Sequence, residues 1–130
     1  MVIDTSAIAA ILFNEAEAAD FRRRIVDDSV RLVSAATLLE AAMVIEGRLG
    51  DDGGREFDLW LQRAGVEVVP ADAEQADLAR RAWRRFGKGR HPAGLNYGDC
   101  FAYALAISRD EPLLFKGGDF AKTDVKACVG

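Results

Sequence analysis

Short runs of apolar residues alternate along the chain with longer segments in which apolar residues recur at helical spacing. The short runs predict buried β-strands at residues 1–3, 31–34, 66–69 and 112–115. The longer segments predict helices at residues 6–13, 14–28, 35–47, 55–63, 72–86 and 99–108. Strands that alternate with helices indicate one α/β domain over residues 1–130, built on a small and mostly parallel central sheet.

Local polar signals set the expected limits of these elements. Asn14, followed three residues later by Glu17, predicts an N-cap with a capping box at the start of the second helix. Asp72, followed by Gln75, predicts the same for a later helix. The glycine-containing segment 51–54 predicts a break between two helices.

Four acidic residues are expected to approach one edge of the sheet. Asp4 directly follows the first strand, Glu40 lies in the helix after the second, Asp99 begins a helix and Asp119 follows the last strand. Ligands of open parallel sheets bind at the carboxyl ends of the strands. Each acid also has a simpler interpretation: Asp4 and Asp99 as helix caps, Glu40 as a surface residue and Asp119 as a turn residue.

Converging carboxylates predict a metal site. They repel one another, and some take up protons unless a cation lies between them. Oxygen ligands alone favour Mg²⁺ or Mn²⁺ over zinc, and such ions support the hydrolysis of phosphodiesters.

Four segments together resemble a known family. They are Met-Val-Ile-Asp-Thr-Ser-Ala-Ile-Ala-Ala at 1–10, Ser-Ala-Ala-Thr-Leu-Leu-Glu-Ala at 34–41, Leu-Asn-Tyr-Gly-Asp-Cys-Phe-Ala-Tyr-Ala-Leu-Ala at 95–106, and Pro-Leu-Leu-Phe-Lys-Gly-Gly-Asp-Phe at 112–120. In this order they resemble the PIN-domain ribonucleases, specifically the VapC-type toxins of type II toxin–antitoxin systems. The likeness covers essentially the whole chain.

The resemblance implies a three-layer α/β/α domain and an endoribonuclease toxin that depends on Mg²⁺ or Mn²⁺. It implies single-strand-selective cleavage of RNA to a 5′-phosphate and a 3′-hydroxyl, neutralisation by a VapB-type antitoxin, and a homodimer. The positions that match the family's catalytic and metal-binding acids are Asp4, Glu40, Asp99 and Asp119. Thr5 and Ser6 match the polar residues that support the first aspartate.

The chain departs from the family pattern in the turn before Asp119. Many relatives carry Asn or Asp where Gly118 stands, and some carry an acid at Gly117. Asp119 is therefore the least secure of the four acids, and Asp124 is an alternative.

The charge distribution bears on the RNA substrate. The net charge is −4, which does not favour simple electrostatic binding of nucleic acid. The basic residues are clustered, however, and the candidate RNA contacts are Arg80, Arg84, Lys88, Arg90 and His91. The simpler interpretation of the arginines is a solvated helix face opposite Trp83 and Phe86. Tyr97 is expected either to pack or to stack on a base.

Composition excludes some classes of protein. No apolar run approaches the roughly 20 residues that cross a bilayer, and no signal peptide is recognised, so a cytoplasmic location is expected. Cys100 and Cys128 are expected to be free thiols, and with one histidine they do not make a structural zinc site.

An apolar stripe is formed by Phe57, Trp60 and Leu61. It predicts core packing or, alternatively, a wall for an antitoxin helix or a dimer contact.

Two other functions remain open from the sequence. A phosphatase of the haloacid-dehalogenase type also has an aspartate after its first strand, but it needs a second acid where Ser6 stands. A PIN-like module that has lost catalysis and only binds RNA or protein is supported by Gly117 and Gly118.

Overall fold

The computed structural model describes residues 1–128, and its centre is a sheet of four parallel strands. The strands are β1 (Val2–Ile3), β2 (Leu32–Ser34), β3 (Glu67–Val69) and β4 (Leu113–Leu114). Their order across the sheet is β3-β2-β1-β4. Val2 is in register with Leu32 on one side and with Leu113 on the other.

Five α-helices surround the sheet: α1 (Thr5–Leu12), α2 (Ala18–Asp27), α3 (Ala35–Ala64), α4 (Ala73–Phe86) and α5 (Tyr97–Arg109). A short 3₁₀ helix (Phe120–Lys122) follows β4. Within residues 1–128, no helix combines the length and apolar character that a membrane crossing requires.

Two hydrophobic cores lie on opposite faces of the sheet, because successive residues of a strand point in opposite directions. Val2 and Leu113 pack with residues of α4 and α5, such as Phe86. Ile3 and Leu114 pack with residues of α1, α2 and α3. The predicted three-layer α/β/α architecture with a parallel sheet is therefore confirmed.

The strand order places β1 at a switch point of the topology. From β1 the chain passes to β2 and then β3 on one side, whereas β4 pairs on the other side. Crevices form at such points, outside the carboxyl ends of the strands. Asp4 stands at this end of β1, where its backbone N–H donates to the carbonyl of Leu114 at 3.0 Å.

The predicted N-cap at Asn14 is wrong. Asn14 has a positive φ of 51° and ends α1 instead of opening α2. Its N–H donates to the carbonyl of Ile11, and the N–H of Glu15 donates to the carbonyl of Ala10. These two bonds make a Schellman-type helix end, for which asparagine is suited because it tolerates the left-handed conformation.

The predicted break at residues 51–54 is also misplaced. The backbone departs from helical geometry at Gly50, where φ is 69°, and residues 51–54 belong to the helical turn that follows. Asp51 and Asp52 open this second part of α3, where acidic side chains interact favourably with the helix dipole. The predicted helices at 35–47 and 55–63 are thus the two arms of a kinked α3.

The apolar spacing of residues 72–86 predicts one buried stripe formed by Ala76, Ala79, Trp83 and Phe86, and the observed stripe of α4 differs from it. Ala79, Ala82 and Phe86 are buried, whereas Trp83 is 42% exposed and Ala76 is also exposed. Trp83 is therefore not part of the core. The cap of this helix is as predicted, since Asp72 accepts a hydrogen bond of 2.9 Å from the N–H of Gln75.

The apolar stripe on the second arm of α3 belongs mainly to the core. Phe57 is buried, and Trp60 and Leu61 pack against the same cluster while partly exposed. Core packing is therefore confirmed for Phe57. The thiols of Cys100 and Cys128 are both free, as expected.

Candidate active site

Asp4 is the most buried acid of the predicted set, with only 3% of its surface exposed. It caps α1: its Oδ2 accepts from the N–H of Ser6 at 3.0 Å and from the Ser6 hydroxyl at 2.6 Å. The Ser6 oxygen in turn accepts from the N–H of Lys116, at 2.9 Å, just after β4. The other carboxylate oxygen, Oδ1, is buried without a hydrogen-bond partner in the described part of the chain.

The surroundings of Asp4 disfavour its negative charge. Burial raises the pKa of its carboxyl group to about 6 from 3.8, against the hydrogen bonds from Ser6, which lower it. Repulsion by Asp99 and Glu40 adds to the rise. The helix-cap interpretation of Asp4 is correct, but capping uses only one of its two oxygens.

Glu40 reaches the same place from the second turn of α3. Its Oε1 accepts a short hydrogen bond of 2.5 Å from the hydroxyl of Thr5. Its carboxylate lies directly against Gly98 at the start of α5, where a Cβ atom would collide with it. The sequence does not identify Gly98, because a glycine that is required by a close tertiary contact cannot be distinguished in the sequence from any other glycine.

Asp99 is fixed by a capping box at the start of α5. Its Oδ2 accepts from the N–H of Asn96 at 3.0 Å, and its own N–H donates to Oδ1 of Asn96 at 2.9 Å. Burial raises the pKa of Asp99, and repulsion by Glu40 and Asp119 contributes to the rise. Asn96 is a second residue that sequence reasoning missed, although Asn followed three residues later by Asp was a readable capping signal.

The two candidates for the fourth acidic position, Asp119 and Asp124, differ in what their carboxylates contact. Asp119 is exposed before the 3₁₀ helix, makes no capping bond there, and is near enough to Asp99 to raise its pKa. Asp124 accepts a hydrogen bond from the hydroxyl of Tyr103 and pairs with Arg85 at 3.1 Å. Both oxygens of Asp124 are thus engaged with other side chains, which favours Asp119 as the fourth acid.

The donor set at this edge of the sheet fits a hard divalent cation. It consists of carboxylate oxygens, and the buried Oδ1 of Asp4 lacks a partner that a cation would supply. Within residues 1–128, however, no three Asp, Glu, His or Cys side chains are arranged to hold a metal ion as they stand. Thr5 and Asn96 hold Glu40 and Asp99 in hydrogen bonds of their own.

A groove of about 650 Å³ lies between α4 and the start of α5. Most of its lining is apolar, and Arg80 and Lys88 are its cationic members. Trp83 and Tyr97 also line it, and the guanidinium of Arg90 lies 4.1 Å from the centre of the Trp83 ring. Arg80 and Trp83 thus share one surface, so the expectation that the arginines lie opposite Trp83 is wrong for Arg80.

The other predicted RNA contacts lie outside this lining. Arg84 is exposed on α4, without an ion-pair partner in residues 1–128. His91 accepts a hydrogen bond on Nδ1 from the N–H of Ala93 at 3.0 Å and packs edge-on against Phe86, which gives it a role in ordering the loop. Tyr97, which lines the groove, is 81% exposed and makes an edge contact with Phe101, so it is not a packed residue.

Comparison with known proteins decides the family. A model of the PIN domain matches residues 1–126. The chain belongs to the PIN-domain family. Its sequence is 61% identical over 127 residues to Ribonuclease VapC of Mycolicibacterium smegmatis, with 98% of each chain covered. It is 58% identical over 125 residues to Ribonuclease VapC30 of Mycobacterium tuberculosis, covering 96% of this chain and 95% of that protein.

Solved PIN-domain structures have the same fold. The VapC20 toxin of Mycobacterium tuberculosis, described as cleaving the sarcin-ricin loop, superposes with a TM-score of 0.78, 17% identity and 95% of each chain covered. The structure of VapBC2 from Rickettsia felis, bound to a DNA fragment from its promoter, superposes with a TM-score of 0.73 and 11% identity. The match covers 93% of this chain and 90% of that chain. The predicted resemblance to VapC-type PIN-domain ribonucleases is therefore confirmed.

Proposed function

We propose that this chain is an endoribonuclease toxin that needs a divalent cation, Mg²⁺ or Mn²⁺, and is neutralised by a VapB-type antitoxin. One observation carries the chemical part of the proposal. Asp4 is buried at the switch point of the sheet with one oxygen unpartnered, and Glu40 and Asp99 are close enough to disfavour its charge. Relatives named ribonuclease, at up to 61% identity, support the activity.

Asp4, Glu40 and Asp99 are the residues that would hold the cation, with Asp119 at the exposed side. When bound, such a cation polarises a phosphodiester and lowers the pKa of a nearby water molecule. The set contains only oxygen donors, as magnesium and manganese prefer. Its excess of negative charge gives a cation a reason to bind there.

The remaining side chains of the site position these acids. Ser6 holds one oxygen of Asp4 and connects it to the end of β4 through Lys116. Thr5 donates to Glu40. Asp119 makes no capping bond, so its carboxylate is available to orient a water molecule for attack on the phosphorus.

The partners complete the proposal. RNA as the substrate follows from the ribonuclease names of the relatives, and a VapB-type antitoxin follows from their VapC name and from the VapBC2 neighbour. A homodimer and a cytoplasmic location are the expectations drawn from the family resemblance and the apolar pattern. Both belong to the proposal.

The test compares Asp4→Asn with Asp58→Asn, a matched change at an exposed aspartate of α3. Labelled single-stranded RNA is incubated with each protein in Mg²⁺, in Mn²⁺ and in a chelator. Wild type and Asp58→Asn should cleave only with metal and leave 5′-phosphate ends. Asp4→Asn should lose at least about 10³-fold in rate, since a metal supplies several kcal/mol to the transition state. Chelator-resistant cleavage, or full activity of Asp4→Asn, contradicts the proposal.

A module that binds RNA or protein without cleavage is the second candidate. The observation in its favour is that no three acids within residues 1–128 are already arranged around a cation site. The same experiment separates the two, because a binding module shifts the RNA in a gel but leaves it intact with Mg²⁺ and with Mn²⁺.

A further inference from the structure

The groove between α4 and α5 has flat aromatic side chains on an otherwise apolar surface. Trp83 stands on α4 and Tyr97 on the first turn of α5, and Leu95 and Phe101 line the groove between the two helices. Trp83 is 42% exposed and Tyr97 is 81% exposed, so neither side chain is used to fill the core. The volume of the groove, about 650 Å³, is within the range of roughly 300–1,000 Å³ that small-ligand sites occupy.

Positive charge is gathered around this apolar surface, although the whole chain carries a net charge of −4. Arg80 and Lys88 line the groove, and Arg90 covers one part of the Trp83 ring. Within residues 1–128 neither Arg80 nor Lys88 has an ion-pair partner, whereas Arg81 and Arg85 on the same helix are paired with acids. A ligand that fits this combination offers flat apolar faces together with a chain of negative charges.

The groove adjoins the acidic site at Asn96, the residue that caps α5. Asn96 lines the groove, and its N–H donates to the carboxylate of Asp99 at 3.0 Å. On a helix, residues two apart do not face each other, so it is Asn96, and not Tyr97, that connects the groove to Asp99. A nucleotide chain that runs past Asn96 can place a phosphate near Asp99 and a neighbouring base in the groove.

We infer that the groove binds an unpaired nucleobase of the RNA substrate, beside the phosphodiester that is cleaved, by stacking on Tyr97 and Trp83. Arg80 and Lys88 contact the flanking phosphates. A double-stranded RNA has no free base to insert, so base stacking in the groove would account for the single-strand selectivity that the family resemblance implies. This inference deepens the proposed endoribonuclease function and rests on it.

The test measures RNA binding without cleavage, in buffer that contains a chelator. A fluorescent single-stranded RNA of about eight nucleotides is titrated with wild type, Tyr97→Ala, Tyr97→Phe and Ile107→Ala, the last a matched change at an exposed apolar residue of α5. A second RNA of equal length and charge carries abasic sugars. Tyr97→Ala should weaken binding of the normal RNA by about tenfold, and Tyr97→Phe and Ile107→Ala should bind like wild type. The abasic RNA should bind all four proteins equally.

Three results overturn the inference. They are unchanged binding by Tyr97→Ala, an equal loss on the abasic RNA, and a change in molar mass by light scattering when Tyr97 is replaced, which makes the groove an interface between copies. Cleavage by wild type in Mg²⁺ and in Mn²⁺ is scored separately. If wild type does not cleave with either metal, the proposed function fails; if it cleaves but Tyr97→Ala binds RNA normally, only the nucleobase site fails.

Discussion

The carboxylate site and the aromatic groove meet at the first turn of α5, but they are built in different ways. The acids are held by hydrogen bonds from Ser6, Thr5 and Asn96, and Asp4 is almost fully buried. In the groove, Tyr97 is mostly exposed and makes an edge contact with Phe101. The fold thus fixes the groups that carry charge and leaves free the surface that a substrate has to cover. On our proposal, chemistry belongs to the first region and selection of the RNA to the second.

The largest expected effect concerns the charge of Asp4 in metal-free protein. Its pKa is about 6 in the folded state and 3.8 when unperturbed, so the folded state holds this proton more tightly. The stability that comes from protonation is complete below the unperturbed pKa and is lost as the pH rises through 6. We expect the free energy of unfolding to fall by up to about 3 kcal/mol over this interval.

Urea unfolding in a chelator, from about pH 4 to about pH 8, measures this loss. Asp4→Asn should lack most of the pH dependence that wild type shows, since it cannot take up the proton. Equal pH dependence in both proteins contradicts the description of the acidic region. Added Mg²⁺ should restore stability to wild type at the higher pH, because a bound cation favours the ionised form.

A second expected effect tests how closely the two regions meet. Gly98→Ala places a Cβ atom where the Glu40 carboxylate lies, so the carboxylate has to move. A displacement of about 1 Å at a reacting group costs about 100-fold in rate. The matched control is Gly118→Ala, where the added Cβ atom meets nothing within 4 Å. Equal cleavage rates of the two variants, with both folded by circular dichroism, contradict a role for Glu40 at this position.

A smaller effect is expected from the hydroxyl that holds Glu40. Thr5→Val keeps the shape of the side chain and removes the donor to Oε1. Loss of such a supporting hydrogen bond typically lowers metal affinity or activity by about tenfold or more. The Mg²⁺ concentration for half-maximal cleavage is the measurement, and Thr5→Ser, which keeps the hydroxyl, should behave like wild type. If Thr5→Val needs the same Mg²⁺ concentration as wild type, Thr5 does not support the metal site.

Much of the fold could be predicted because the spacing of apolar residues distinguishes strands from helices and shows where the strands end. The four strands lie within the predicted runs, and Asp4 follows β1 as expected. The errors arise where one residue type serves two purposes. Asn14 suits both an N-cap and a left-handed helix end, and only its bonds to Ile11 and Ala10 distinguish them.

The site could be predicted only in part, because its details depend on contacts between distant segments. The sequence nominates Asp4, Glu40 and Asp99, and in the structure the charge of Glu40 contributes to the raised pKa of both Asp4 and Asp99. It does not reveal that Gly98 lies against Glu40, since that contact depends on how α3 and α5 pack. Nor does it reveal whether Trp83 faces the core or the groove, because the spacing of apolar residues alone does not distinguish a core position from a groove wall.

Direct titration of metal-free protein with Mn²⁺ tests the central claim, which is that the unpartnered oxygen of Asp4 belongs to a cation site. Calorimetry is carried out on wild type, Asp4→Asn and the control Asp58→Asn, with no RNA present. The account predicts saturable binding to wild type and to Asp58→Asn, and a loss of binding in Asp4→Asn. Binding of equal affinity to all three proteins, or no binding to wild type, would contradict it.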